Sequence, residues 1–113
     1  MADQQLMERC IRECLECANV ASRCANECLG SERASSMARC IRLCLDCADL
    51  AAACAKMMAR GSEFSEGVCG ACADVCDACA DECEKMEGDL MRRCAEACRR
   101  CAEDLRQMQT AAA

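Results

Sequence analysis

Residues 10–24 read CIRECLECANVASRC and residues 40–54 read CIRLCLDCADLAAAC, one pattern written twice. Its kernel is C-x3-C-x2-C, which recurs in two later segments. The four copies are Cys10, Cys14 and Cys17; Cys40, Cys44 and Cys47; Cys72, Cys76 and Cys79; and Cys94, Cys98 and Cys101. Cys24 and Cys28 continue the first series, Cys54 the second, and Cys69 and Cys83 extend the third. Steps of three, four and seven residues return a side chain to the same face of an α-helix. Every Cys therefore falls on one stripe of its helix, with Arg, Glu, Asp and Asn on the faces between. Four such stripes turned toward one another predict a tube of sulfur along a bundle axis.

Gly30-Ser31, Gly61-Ser62 and Gly88-Asp89 punctuate the chain. Gly suits the left-handed position that ends a helix, and Ser or Asp can cap the next one. Asp3 is placed to cap the first. These signals predict helices near 4–29, 32–60, 63–87 and 90–109. Their interiors are rich in Ala, Glu, Arg, Leu, Met and Lys, all good helix formers. Gly67 and Gly70 weaken the start of the third, and residues 110–113 are expected to fray. Loops this short force neighbouring helices to run antiparallel. The expected fold is all-α, an antiparallel up-down-up-down four-helix bundle with a Cys-lined core. A chain of this length is expected to form a single domain over 1–113.

The composition sharpens the reading. There are 17 Cys against 14 residues of Leu, Ile, Val and Phe together. A chain so poor in large aliphatics usually cannot build a core, but here Cys, Ala and Met fill the deficit. A free thiol packs as a small hydrophobe. His, Trp, Tyr and Pro are all absent. Without His there is no Ser-His-Asp triad, Cys-His dyad or mixed Cys/His zinc site, and no enzymatic role is expected. A single aromatic, Phe64, provides no platform for stacking bases, and a net charge of −6 opposes a phosphate backbone, so no nucleic-acid partner is expected. No apolar run approaches the roughly 18 residues of a membrane span. Residues 1–9 are polar with no signal-peptide core, which points to a cytoplasmic protein without a membrane partner.

The thiols admit four uses. A disulfide scaffold is disfavoured because the count is odd and because neighbours on one helix point in parallel. Iron–sulfur ligands usually sit on loops that wrap one cluster, not on four helices. An inert core would gain nothing over Ala or Val while accepting the risk of oxidation. Metal binding remains, and thiolates select soft Cu(I), zinc or iron–sulfur clusters. Zinc asks for four tetrahedral ligands, and one helix offers two. Cu(I) accepts two ligands in line. Cβ atoms at i,i+3 or i,i+4 lie roughly 5–6 Å apart, and two metal–thiolate bonds span about 4.6 Å, so S–Cu–S fits along one helix. Each bound Cu(I) displaces a proton, so filling the core adds little buried charge.

Four stretches carry a resemblance: CIRECLECANVASRCANEC at 10–28, CIRLCLDCADLAAAC at 40–54, VCGACADVCDACADECEK at 68–85 and RRCAEACRRCAED at 92–104. With them the chain resembles the bacterial copper storage proteins, the Csp family, over nearly its whole length. The resemblance implies a four-helix bundle whose 17 Cys bind many Cu(I) ions, assembled as a homotetramer. It implies an exported and a more Cys-rich cytosolic subgroup, and the Cys count and missing leader match the latter. The chain departs from cytosolic members in one place. They usually carry several His between the third and fourth helices, where this chain reads Cys83-Glu84-Lys85-Met86-Glu87-Gly88-Asp89-Leu90-Met91. A thioether-lined mouth, as in the exported subgroup, and an engineered or idealised variant are the two readings of that difference.

Met37, Met86 and Met91 are expected to cluster at the end bearing the first and third loops. They are either core filler or a mouth that admits Cu(I). Met7, Met57, Met58 and Met108, with Leu6 and Leu105, are expected to plug the other end. Arg92, Arg93, Arg99 and Arg100 are expected to form a solvated strip paired with Glu96 and Glu103 on the same helix. The function expected is storage or buffering of Cu(I), with copper ions as ligand and a copper donor or acceptor protein as a further partner. The alternatives are a metallothionein-like sink for zinc and other thiolate-binding metals, and a metal-free structural bundle that self-associates.

Overall fold

A computed structural model describes the backbone of residues 2–112 and the side chains of residues 4–110. The described residues form four helices: α1 (Ala2–Leu29), α2 (Ala38–Ala59), α3 (Ser65–Glu84) and α4 (Asp89–Ala112). The bundle measures 47 × 19 × 18 Å along its principal axes. Each helix packs on its two neighbours in the order α1–α2–α3–α4–α1, which makes a square cross-section. All neighbours are antiparallel. Cys14 and Cys17 of α1 meet Cys101 and Cys98 of α4, and Cys40, Cys44 and Cys47 of α2 meet Cys83, Cys79 and Cys76 of α3.

The connections correct several expectations. The second helix begins at Ala38, not near 32, because the serine-rich segment before it bonds locally. The Ser31 hydroxyl accepts the Arg33 N–H at 3.1 Å, and the Ser36 hydroxyl donates to the Arg33 carbonyl at 2.8 Å. Such bonds compete with a helical turn, and the segment Ala34–Met37 becomes a 3₁₀ turn. Ser62 acts likewise on Phe64, and α3 begins at Ser65 rather than 63. It ends at Glu84 rather than 87. Gly30 is not left-handed; among glycines only Gly61 (φ 64°) and Gly88 (φ 122°) have positive φ. At Gly61 the Gly61 and Ser62 amides bond back to the Met58 and Met57 carbonyls, which closes α2 in a Schellman motif. Before α4 the Gly88 carbonyl accepts the Arg92 N–H, so Gly88 and not Asp89 holds the capping position. Asp89 lies in the first turn, where its charge complements the helix dipole. Asp3 lies inside α1, and its side chain is outside the described residues.

The core follows the inward stripe. All 17 Cys are buried, with Val20, Ala21, Ala51, Ala80 and Leu105 between them. No described buried side chain is charged or polar in the usual sense. Arg99, Arg100 and Arg106 of α4 pair across helices and Arg92 pairs with Asp89 on its own helix, none of them with Glu96 or Glu103. Arg99 reaches Asp81 at 2.6 Å and Glu84 at 2.7 Å on α3, Arg106 reaches Asp74 at 3.1 Å, and Arg100 meets Glu13 of α1 at 3.2 Å. For Arg99, Arg100 and Arg106 the carboxylates within reach face them from the adjacent helices. These exposed pairs steer helix register and contribute little individually. Among the described residues no helix is long and apolar enough to cross a membrane.

Candidate metal centre

Antiparallel packing stacks the thiols in layers along the axis. One layer joins all four helices through Cys17, Cys47, Cys76 and Cys98, and another does so through Cys24, Cys44, Cys83 and Cys94. Between and beside them lie the three-thiol groups Cys79/Cys94/Cys98 and Cys72/Cys76/Cys101. Within each group the sulfurs lie within 4.8 Å of one another. Cys17 stands 3.3 Å from Cys47, 3.7 Å from Cys98 and 3.9 Å from Cys76, and Cys47 stands 3.4 Å from Cys76. Cys14 joins the stack through Cys101 at 3.6 Å and Cys40 through Cys83 at 3.9 Å. Shared residues connect the groups, so the sulfurs form one continuous column.

The layers change the comparison between metals. Along one helix only two thiols are available, but a four-helix layer supplies the four ligands that tetrahedral zinc requires. Sulfurs in a tetrahedral zinc site are about 3.8 Å apart at zinc–thiolate lengths, which these layers match. Individual layers therefore accept either metal. The column distinguishes them, because a thiolate that bridges two Cu(I) ions serves two neighbouring sites and each ion needs only two or three sulfurs, whereas zinc takes four ligands per ion.

Electrostatics inside the column favour sharing of protons. Cys17 is held far below the ordinary thiol range by bonds from Cys101, Cys47, Cys76 and Cys98. Cys94 is likewise lowered by Cys24, Cys44, Cys79 and Cys83. Their partners Cys98 and Cys44 are pushed up, chiefly by Cys17 and Cys24 respectively. A single thiolate ringed by S–H donors is stabilised, while a second in the same layer is opposed. Each incoming soft cation displaces a proton from the layer it enters.

The thiols at the two ends of the column behave alike. Burial is the main reason that the Cys10 and Cys28 thiols are pushed up to about 11 from the ordinary 9.0. Asp104 and Glu13 also raise Cys10, Arg9 opposes them, and its thiol donates to the Asp104 carbonyl at 3.3 Å. Above pH 9 the unfolded chain gives up these protons while the fold retains them until about 11. Their stabilising contribution is complete below pH 9 and is lost as the pH rises toward 11. Urea unfolding of the reduced, metal-free chain should show a falling midpoint over that window. A midpoint that stays level from pH 8 to 11 would refute the assignment.

Met37, Met86 and Met91 lie together around a cavity of about 210 Å³ at the end with the first and third loops. Cys28 lines the same cavity with Glu27, Glu87 and Asp89. Met91 carries the path inward, since its thioether sulfur accepts the Cys24 thiol at 3.4 Å. At the other end Leu105 and Met58 are buried, as a plug requires. The seal is incomplete, because a cavity of about 290 Å³ opens there among Met7, Met58, Cys69 and Met108. Met57 does not line it.

One pairing was not anticipated. Cys54 of α2 and Cys69 of α3 are joined by a disulfide with Cα atoms 5.6 Å apart. Thiols on a single helix point in parallel, but thiols facing each other across an antiparallel pair do not. The signal was present in the sequence, because Cys54 and Cys69 lie equally far from the turn at Gly61-Ser62. Cys47/Cys76, Cys44/Cys79 and Cys40/Cys83 obey the same mirror rule.

A family profile described as copper storage protein matches residues 3–110. Among solved structures, a Cu(I)-bound copper storage protein, BsCsp3, is 39% identical with a TM-score of 0.86, covering 91% of this chain and 97% of that one. A cytosolic copper storage protein from Streptomyces lividans, in a copper-loading structure with five coppers, is 37% identical with a TM-score of 0.92, covering 96% of each chain. The apo form of copper storage protein 3 from Bacillus subtilis is 40% identical with a TM-score of 0.83, covering 89% of this chain and 96% of that one. No curated protein sequence gives a significant match.

Proposed function

The chain belongs to the copper storage protein family, and on that premise we propose that it stores Cu(I) in the sulfur column of its bundle. The observation that carries this reading is the gathering of eleven buried thiols into four overlapping groups. Cys14 and Cys40 attach to them through sulfur contacts, and Cys10 and Cys28 close the column at its ends. Residues 1–113 act as one unit, binding metal rather than performing catalysis. The similarity to a cytosolic relative supports a cytoplasmic location. Assembly as a homotetramer and exchange with a copper donor or acceptor protein complete the proposal. A zinc store is the second reading, favoured by the two four-thiol layers.

Crystals of the reduced chain soaked with Cu(I) and measured at the copper absorption edge test the site. Anomalous peaks are expected between the sulfurs named above, in a line along the bundle. Peaks confined to surface carboxylates would overturn the reading.

Copper enters beside Met37, Met86 and Met91. Thioethers stay neutral and need not lose a proton, so they receive the ion and pass it to the thiolates behind Cys24 and Cys28. Replacing Met86 and Met91 together by Leu retains apolar bulk and removes the sulfur. Loading from a weak Cu(I) donor is expected to slow several-fold with the final capacity nearly unchanged. If that double variant loads normally while Met57→Leu with Met58→Leu loads slowly, the column fills from the opposite end.

A further inference from the structure

We propose that Cys54 and Cys69 form a redox site that exchanges with small-molecule disulfides through the cavity at the end opposite the methionine mouth. Three observations mark this pair, the last two of them found at no other thiol. The two sulfurs belong to none of the three- and four-thiol groups. They are bonded to each other, and the remaining fifteen cysteines are free. Cys69 is also the most accessible cysteine at 5%, whereas every other is 1% exposed or less. That accessibility leads somewhere, because Cys69 lines the cavity of about 290 Å³ with Met7, Met58, Glu63, Glu66 and Met108.

The geometry assigns different roles to the two sulfurs. Cys54 is fully buried behind Cys69, so a reagent in the cavity meets Cys69 first. On oxidation the Cys69 thiolate attacks one sulfur of a disulfide RSSR and expels RS⁻, which takes up a proton. The Cys54 thiolate then attacks the Cys69 sulfur and expels the second RS⁻, also protonated. The balance is RSSR plus two protein thiols giving the protein disulfide plus two RSH, with two electrons passing from protein to reagent. In reverse, a thiolate attacks Cys69 from the cavity and releases Cys54 inward. Among the described residues Glu63 and Glu66 line the cavity and no basic side chain does, so a cationic disulfide is favoured over an anionic one.

The consequence for storage rests on the copper reading. Bonding withdraws two thiolates from the end of the column and ties α2 to α3, so the oxidised protein holds less Cu(I). The redox chemistry itself does not depend on copper and is tested without it.

The fully reduced, metal-free chain is incubated without oxygen with cystamine, a dication, and separately with oxidised glutathione, an anion. The expected product contains one disulfide, mapped to Cys54 and Cys69, with the other fifteen thiols still free. Cystamine should react several-fold faster than glutathione, and Glu63→Gln with Glu66→Gln, both at exposed positions, should erase the difference. Cys54→Ser should trap one cysteamine on Cys69, because the resolving thiol is gone. Cys69→Ser should leave Cys54 unmodified. Circular dichroism checks that both variants fold, and the Glu variant tests the route if either does not. Oxidation scattered over other cysteines, or an adduct in Cys54→Ser at any residue but Cys69, would overturn the site. Equal rates for the two reagents in the parent chain would overturn the cavity as the route.

Discussion

A Cu(I) titration of the reduced, metal-free chain is expected to continue past about ten equivalents before free copper appears in a competing chelator. The expectation follows from how thiolates are counted. The chain supplies 17 sulfurs, and Cu(I) needs two or three of them. Each sulfur can serve two ions, so the metal count approaches the thiol count. Zinc gains less from the column, because every ion still needs four thiolates. At four thiolates per ion it should saturate near four equivalents, with the layers Cys17/Cys47/Cys76/Cys98 and Cys24/Cys44/Cys83/Cys94 filling first. Charge-transfer absorbance in the ultraviolet follows both titrations. An end-point at four or fewer Cu(I), with all thiols shown to be reduced, would falsify the column and leave the zinc reading standing. The number also bears on the pairing at the end of the bundle, since the oxidised chain should stop short of the reduced one.

The second large effect concerns the empty protein. Small metal domains with few ligands are commonly unfolded without metal. Here the reduced, metal-free chain should give a strongly helical circular dichroism spectrum that loading changes little. The physical reason is that protonated thiols are apolar enough to pack, and the helices are rich in good helix formers. Stability then rests on the few larger groups between the sulfurs. Leu105 is fully buried and has the largest volume of the completely enclosed side chains. Leu105→Ala should cost about 2–5 kcal/mol, the range for deleting a buried Leu. A domain of this size has about 5–15 kcal/mol in total, so the metal-free variant should unfold at clearly lower urea concentration. Saturating Cu(I) should recover much of the loss, because metal binds the folded state preferentially. A variant as stable as the parent when empty would show that Leu105 is not part of the packing that holds the column together.

The sequence by itself determined the four helices, their antiparallel order and the face of each that is buried. Helical periodicity acts over a few residues, and a thiol repeated at steps of three, four and seven has only one face on which to lie. The methionines at Met37, Met86 and Met91 were placed at one end by the same register. Tertiary structure decided the rest. The start of α2 at Ala38 depends on which serine hydroxyl wins a local amide or carbonyl, a balance that periodicity does not register. The partners of Arg99 and Arg106 lie on α3 because ion pairing depends on the spacing between helices, not along one. The four-thiol layers and the Cys54–Cys69 bond arise only when stripes from different helices meet at a fixed height. A stripe specifies direction alone. Height follows from loop geometry and from packing of residues such as Val20 and Leu105, which bring distant positions opposite one another.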